Sequence, residues 1–343
     1  MHLDRRRVVL GALGLFLAGP RRAFAQTVTD DAKRPISVPP EVRRVFPAGP
    51  PAAILLYTLA PDLLLGWPRA NRPEEREFLL PDVAARPELG RLTGRGNTTN
   101  LEVLLGLRPD LILDVGSLND TYVSLADRVQ AQTGIPYALL DGSFAGTPGA
   151  YRALGELVRR SERAEELAAW CETTIRTVLG RINDIPEDRR PRVYYARGPR
   201  GLETGLGGSI NVETIEVLRA RNVAGEVRGG LATVSLEQVL AWAPDVIVTI
   251  DADFYANVRG DPAWAGVPAV RQGRIHLSPK LPFGWVDFPP SVNRFVGLPW
   301  LAKILYPDRF PEEIAPIARD FYARFYHVTP TDEQMERVLA GRG

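Results

Sequence analysis

A chain of 343 residues with 45% apolar and 24% charged side chains is long enough for two lobes with filled cores, and its composition is that of a water-soluble globular protein. A formal net charge of +1 excludes the strongly basic surface that charge-driven nucleic-acid binding requires. A single cysteine excludes an intrachain disulfide.

Residues 1–25 read as an export signal. Asp4-Arg5-Arg6-Arg7-Val8-Val9 has the twin-arginine pattern, an apolar run follows to Ala18, and Ala23-Phe24-Ala25 supplies a small-x-small cleavage site before Gln26. The run is too short for a hydrocarbon core of about 30 Å, so the chain is expected in the periplasm and not embedded in the membrane. Cleavage removes five arginines and Asp4, which turns the net +1 into −3. Residues 26–41 are polar and proline-containing and read as a tether. A strand is expected over 44–48, and Gly49-Pro50-Pro51 turns into a helix over 52–59. A second strand is expected over 63–67, followed by a surface loop over 69–89 rich in proline and charge. A glycine-rich turn at 94–97 leads to a helix over 101–107 and a buried strand over 110–115. A helix over 124–133, a strand over 136–140 and a helix over 148–159 complete a small parallel sheet covered by helices.

The longest periodic stretch covers residues 162–183. Ala164, Leu167, Ala168, Cys171, Ile175, Val178, Leu179 and Ile182 recur at spacings of three and four, an apolar stripe on a charged helix about 33 Å long. Ser161 stands where an N-cap belongs and Pro186 stops the helix. Cys171, on the stripe, reads as a buried thiol without chemistry. Beyond it come a strand over 192–196, an irregular loop over 197–208, helices over 212–219 and 236–241, and strands over 245–250 and 274–277. A loop over 278–290 and helices over 291–305 and 311–326 end the pattern. The expected organisation is an α/β fold: a signal (1–25), an N-terminal lobe (26–160), one rigid linking helix (161–185) and a C-terminal lobe (186–343).

Two segments on either side of this helix repeat. Asn100-Leu-Glu-Val-Leu-Leu-Gly-Leu-Arg-Pro-Asp-Leu-Ile-Leu113 and Ser235-Leu-Glu-Gln-Val-Leu-Ala-Trp-Ala-Pro-Asp-Val-Ile-Val248 coincide at Leu, Glu, Leu, Pro, Asp and Ile. Glu102 and Glu237 each open a helix, where the helix dipole favours a carboxylate by about 0.3–1 kcal/mol. The alternative is a pair of acidic knobs, one per lobe, that dock onto arginines of a two-subunit partner.

Ligands of open parallel sheets gather beyond the carboxyl ends of the strands. The loops expected there carry Trp67, Arg69, Arg95, Ser117 and Arg197, together with Arg200, Asp253, Phe254, Tyr255 and Trp285. Aromatic walls with a few arginines suit a planar or greasy ligand bearing negative charge, such as a metal chelate. A bare-metal site is not expected: His2 leaves with the signal, His276 and His327 have no partner at ligand spacing, and metal should arrive chelated. No Gly-x-Ser-x-Gly elbow, Walker loop or His-Glu-x-x-His is present, so neither an enzyme nor a resident cofactor is expected. Gly205-Leu-Gly-Gly-Ser209 before a helix lacks the dinucleotide fingerprint.

With Asn100-Leu-Glu102, Pro109-Asp110, Gly208-Ser209-Ile210, Val234-Ser-Leu-Glu237 and Pro244-Asp245 in view, the chain resembles the periplasmic binding proteins of ABC importers for iron-siderophore, heme and cobalamin. The resemblance covers most of residues 42–310. It implies a monomer that holds its ligand between two lobes with little closure and docks through Glu102 and Glu237 onto a permease dimer with its ATPase. A ferric chelate of siderophore type is the expected ligand; heme, with Tyr255 as the candidate ligand, cobalamin, or an oxyanion such as molybdate are the alternatives. Trp285, Asp287 and Trp300 depart from the cobalamin-type ending. An exported enzyme acting on an anionic substrate is the rival from another class.

Overall fold

The computed structural model describes residues 26–342 apart from positions 95 and 97; the expected signal at 1–25 and Arg95 lie outside the described residues. Two parallel sheets organise the chain. The first has the order β3 (Val45–Pro47), β4 (Leu111–Gly116), β5 (Tyr137–Asp141). The second has the order β11 (Ile275–Leu277), β10 (Val246–Thr249), β6 (Arg192–Ala196), β8 (Arg221–Asn222), again all parallel. Between them runs the linking helix Ser161–Gly180.

Strand alternation sorts the side chains into layers. Val193, Tyr195, Val246 and Val248 point to one face of the second sheet and Tyr194, Ala196 and Ile247 to the other. In the first sheet Leu111 and Leu113 oppose Ile112 in the same way. The inner faces of both sheets, the helix Pro50–Leu59, the stripe Ala164, Leu167, Ala168, Cys171 and Val178, and the helix Arg294–Leu305 form one continuous core. Each outer face has its own smaller cluster. Cys171 is fully buried, and burial pushes its thiol well above the usual value.

Four expectations need correction. Residues 26–38 are not a tether: β1 (Gln26–Thr29) and β2 (Pro35–Val38) form an antiparallel ribbon. Asp30 pins it by accepting from the Leu139 N–H at 3.2 Å and from Arg34 Nη1 at 3.0 Å. Residues 63–67 are not a strand but an extended segment, with single bridges from Leu64 to Val45 and from Trp67 to Glu88. The supposed surface loop holds two short helices, Pro73–Arg76 and Pro81–Ala84, around a buried Glu75. Ser161 is the first helical residue rather than the cap, a place held by Arg160 without a side-chain hydrogen bond.

The repeated segments share their caps, their ends and their anchoring hydrogen bonds. The helices Leu101–Leu107 and Leu236–Trp242 are capped by Asn100 and Ser235, which accept from Val103 N and Gln238 N. Both end on a left-handed residue, Arg108 (φ 47°, ψ 56°) and Ala243 (φ 46°, ψ 59°). Asp110 and Asp245 then accept from the backbone N–H of Arg44 and Arg192, each at the start of the neighbouring strand.

Candidate functional site

The carboxyl ends of β4 and β5 in one lobe and of β6 and β10 in the other carry the loops between the lobes. On the N-terminal side, Asp114 is buried and accepts from Thr93 Oγ1, Val115 N and Tyr137 OH, each at 3.0 Å. Burial raises its carboxyl above the usual range against these bonds. Thr93 in turn packs on Gly49, where an added Cβ would lie 2.6 Å from Oγ1. The helix Pro50–Leu59 begins with two prolines, so its amino end offers few backbone donors to a ligand.

A polar cluster crosses the gap. Arg294, fully buried, donates through Nη1 to Glu213 Oε2 at 2.6 Å and Ile210 O at 3.3 Å, through Nη2 to Gly142 O at 2.8 Å, and through Nε to Ser291 O at 3.2 Å. Glu213 Oε2 also accepts from the Phe144 N–H at 2.8 Å, and Phe144 stacks on Phe295 at 4.3 Å. Gly142 and Phe144 follow β5 while Glu213 belongs to the other lobe, so the guanidinium ties the two together. Burial lowers its pKa and Glu213 opposes that shift. Beside it lies a narrow recess of about 10 Å³, room for about one water molecule, lined by Pro51, Val115, Asp141, Gly142, Ser291 and Arg294 among others.

Asp287 forms the second half of the cluster. It is 1% exposed and accepts from Tyr195 OH and Asn211 Nδ2, both at 2.8 Å. Arg197, at the end of β6, places Nη1 3.5 Å from Asp287 and 3.4 Å from Glu203, and its guanidinium lies 5.9 Å from the ring of Phe288. Phe288 is 68% exposed. Arg197 is 7% exposed, and its Nε and Nη1 are buried without a hydrogen-bond partner. The guanidinium thus has carboxylates on two sides, at ion-pair distance, while two of its buried donors are left without a hydrogen bond.

The expected site residues do not all meet here. Of the ten, Arg197 alone belongs to this cluster among the described residues. Three aromatics expected as cleft walls are core residues instead. Trp67 is 2% exposed and donates its indole N–H to Val83 O at 2.8 Å, against Tyr57 and Phe283. Trp285 is 0% exposed, with its indole N–H 3.3 Å from Tyr322 OH. Phe254 packs edge-on against Trp264 at 4.9 Å beneath Gly201. Arg69 is spent on Glu75, at 2.6 and 2.8 Å; burial would raise that carboxyl, and the bonds from Arg69 and Arg72 hold it below its usual value. Ser117 and Arg200 are exposed on their loops; Asp253 and Tyr255 are not on a loop but in a helix, Ala252–Asn257, capped by Asp251, where Asp253 is exposed and Tyr255 is half-buried with Arg259 4.6 Å from its ring.

Sequence reasoning missed Arg294, Glu213 and Asn211 as parts of the site. One signal was available: Arg294 is a lone charge inside the apolar run Val292-Asn-Arg-Phe-Val-Gly-Leu-Pro-Trp-Leu301, and a lone charge in such a run is buried only when paired. His276 is held down to about 4 by burial and by Arg274 and Arg259. Among the described residues no three His, Cys, Asp or Glu side chains cluster as metal ligands, and no helix is long and apolar enough to cross a membrane. Glu102 and Glu237 are exposed and, among the described residues, form no ion pair; Glu237 is drawn below its usual range by its own backbone N–H and by Ser235.

A family model described as a periplasmic binding protein matches residues 58–281. The molybdate-binding protein MolA of Haemophilus influenzae is 28% identical over 269 residues, 72% of this chain and 76% of MolA. A cobalamin-binding protein of Halobacterium salinarum is 26% identical over 238 residues, of which the chain spans 60% of that relative's length. An ABC transporter solute binding protein from Sulfurospirillum deleyianum superimposes with a TM-score of 0.83 at 30% identity, over 91% of this chain and 98% of the other. MolA bound to molybdate shares the fold, with a TM-score of 0.76 at 22% identity over 89% and 99% of the two chains. Two helix-linked α/β lobes, their duplicated capped segments and these matches agree: the chain belongs to the periplasmic binding proteins that serve ABC importers.

Proposed function

We propose that the chain captures a small anion, an oxyanion or a compact anionic metal chelate, between its lobes and delivers it to an ABC permease, with no chemistry of its own. The observation that carries this reading is Arg197, buried to 7% exposure with Nε and Nη1 lacking hydrogen-bond partners. The relative named for molybdate supports an oxyanion. A large ferric siderophore, the ligand expected from sequence, is less well supported, because Trp67, Phe254 and Trp285 are in the core and offer it no stacking wall. On this reading residues 1–25 export the chain, and Glu102 and Glu237 meet basic residues on the two permease subunits.

The test is calorimetric titration of the chain from Gln26 onward with molybdate, sulfate, a ferric catecholate and cobalamin, in parallel with Arg197→Gln. One charge-assisted hydrogen bond contributes about 1.5–3 kcal/mol, so the variant should bind an anion about 10- to 100-fold more weakly. Silence toward all four probes, or equal affinity of the variant, would overturn the proposal.

A further inference from the structure

Large apolar side chains exposed singly on a surface need no explanation. Two of them here are not placed singly. Leu105 is 47% exposed and Leu240 is 36% exposed, and they occupy the same position of the duplicated segment. Each lies three residues after a glutamate that forms no ion pair among the described residues, Glu102 or Glu237, and so one turn further along the same helix face. The frame around each pair is the same: a side-chain cap at Asn100 or Ser235, a buried anchor at Leu104 or Val239, and a left-handed end at Arg108 or Ala243. Each lobe therefore presents one stiff knob with a carboxylate and a leucine at fixed separation.

We propose that Leu105 and Leu240 are contact residues of the docking surface, each filling an apolar notch beside the basic residue that receives the neighbouring glutamate. The proposal deepens the permease reading above and rests on it. A surface that offers the same knob twice is complementary to a partner that offers the same notch twice, which two copies of one subunit about a two-fold axis provide. Charge supplies the rest: Glu102 and Glu237 call for a cation in each notch. The equivalence is local, since Val103, 48% exposed, stands opposite Gln238 in the repeat. Leu240 also rests over Gly266, where an added Cβ would lie 2.8 Å from Cδ2.

Photo-crosslinking in the source cells tests this, with p-benzoylphenylalanine placed at Leu105, at Leu240, or at Val227 as an exposed apolar control outside both repeated helices. The two leucine positions should each crosslink the same membrane polypeptide, identified by peptide mass as an ABC permease subunit, and the control should not. With the probe moved to Gln238, the pair Leu105→Asp and Leu240→Asp should cut the crosslink at least tenfold while leaving molybdate affinity unchanged. Crosslinks to a second copy of this chain, to a soluble protein or to unrelated polypeptides would overturn the proposal. So would an undiminished crosslink in the aspartate pair. The Arg197 titration reads the cleft independently, so failure there and failure here are told apart.

Discussion

Two arginines face the gap between the lobes and do different work. Every nitrogen of Arg294 has an acceptor, and those acceptors come from both lobes: Gly142 O on one side, Glu213 and Ile210 O on the other. Replacing Arg294 with Gln strands Glu213 and leaves Gly142 O unmet across the gap. Breaking a buried pair by removing one partner costs roughly 3–5 kcal/mol, so urea denaturation of Arg294→Gln should show a loss of that order. A loss under about 1 kcal/mol would mean that the guanidinium is not the tie between the lobes. Arg197, by contrast, carries unmet donors, so its substitution should cost binding more than stability.

At the scale of elements, the segment that follows β11 is folded tightly on itself and against the helix Arg294–Leu305. A Cβ on Gly297 would lie 1.9 Å from Trp285 O, and one on Gly284 would lie 1.7 Å from Asp287 O. Gly297→Ala should therefore push the helix off the segment that holds Asp287. Overpacking of this kind costs about 1–3 kcal/mol, read as a lower thermal midpoint; an unchanged midpoint would show that the helix can slide. The same segment explains what the sequence could and could not tell. The parallel strands, the linking helix and the duplicated knobs were legible because each rests on a local pattern of period two, period 3.6 or literal repetition. The ribbon at 26–38 was not legible, because it depends on Asp30 reaching Leu139 across the chain. The cleft was legible only as a set of loops. Trp67 ends an extended segment and Trp285 lies in the loop after β11, yet the indole of each turns inward to a partner distant in sequence, Val83 or Tyr322, and no periodicity reports that turn.

For the whole molecule, the linking helix Ser161–Gly180 is unbroken by proline, and Arg294 bridges the lobes at the other side of the gap. A helix of this length offers no loop in which a hinge could absorb a large backbone rotation. Small-angle scattering with and without saturating ligand should accordingly return the same radius of gyration within error. A clear contraction would locate a joint at one end of the helix and contradict the tie. The core makes a further point. Leu56 of the first lobe, Cys171 of the helix and Val193 of the second lobe belong to one unbroken apolar interior, so neither half owns a complete one. The repeated segments look like two copies of a single ancestral unit, but the copies have since become mutually dependent. Severed from its sibling, either would present a bare greasy flank to water, and damage to one should be felt as unfolding of both.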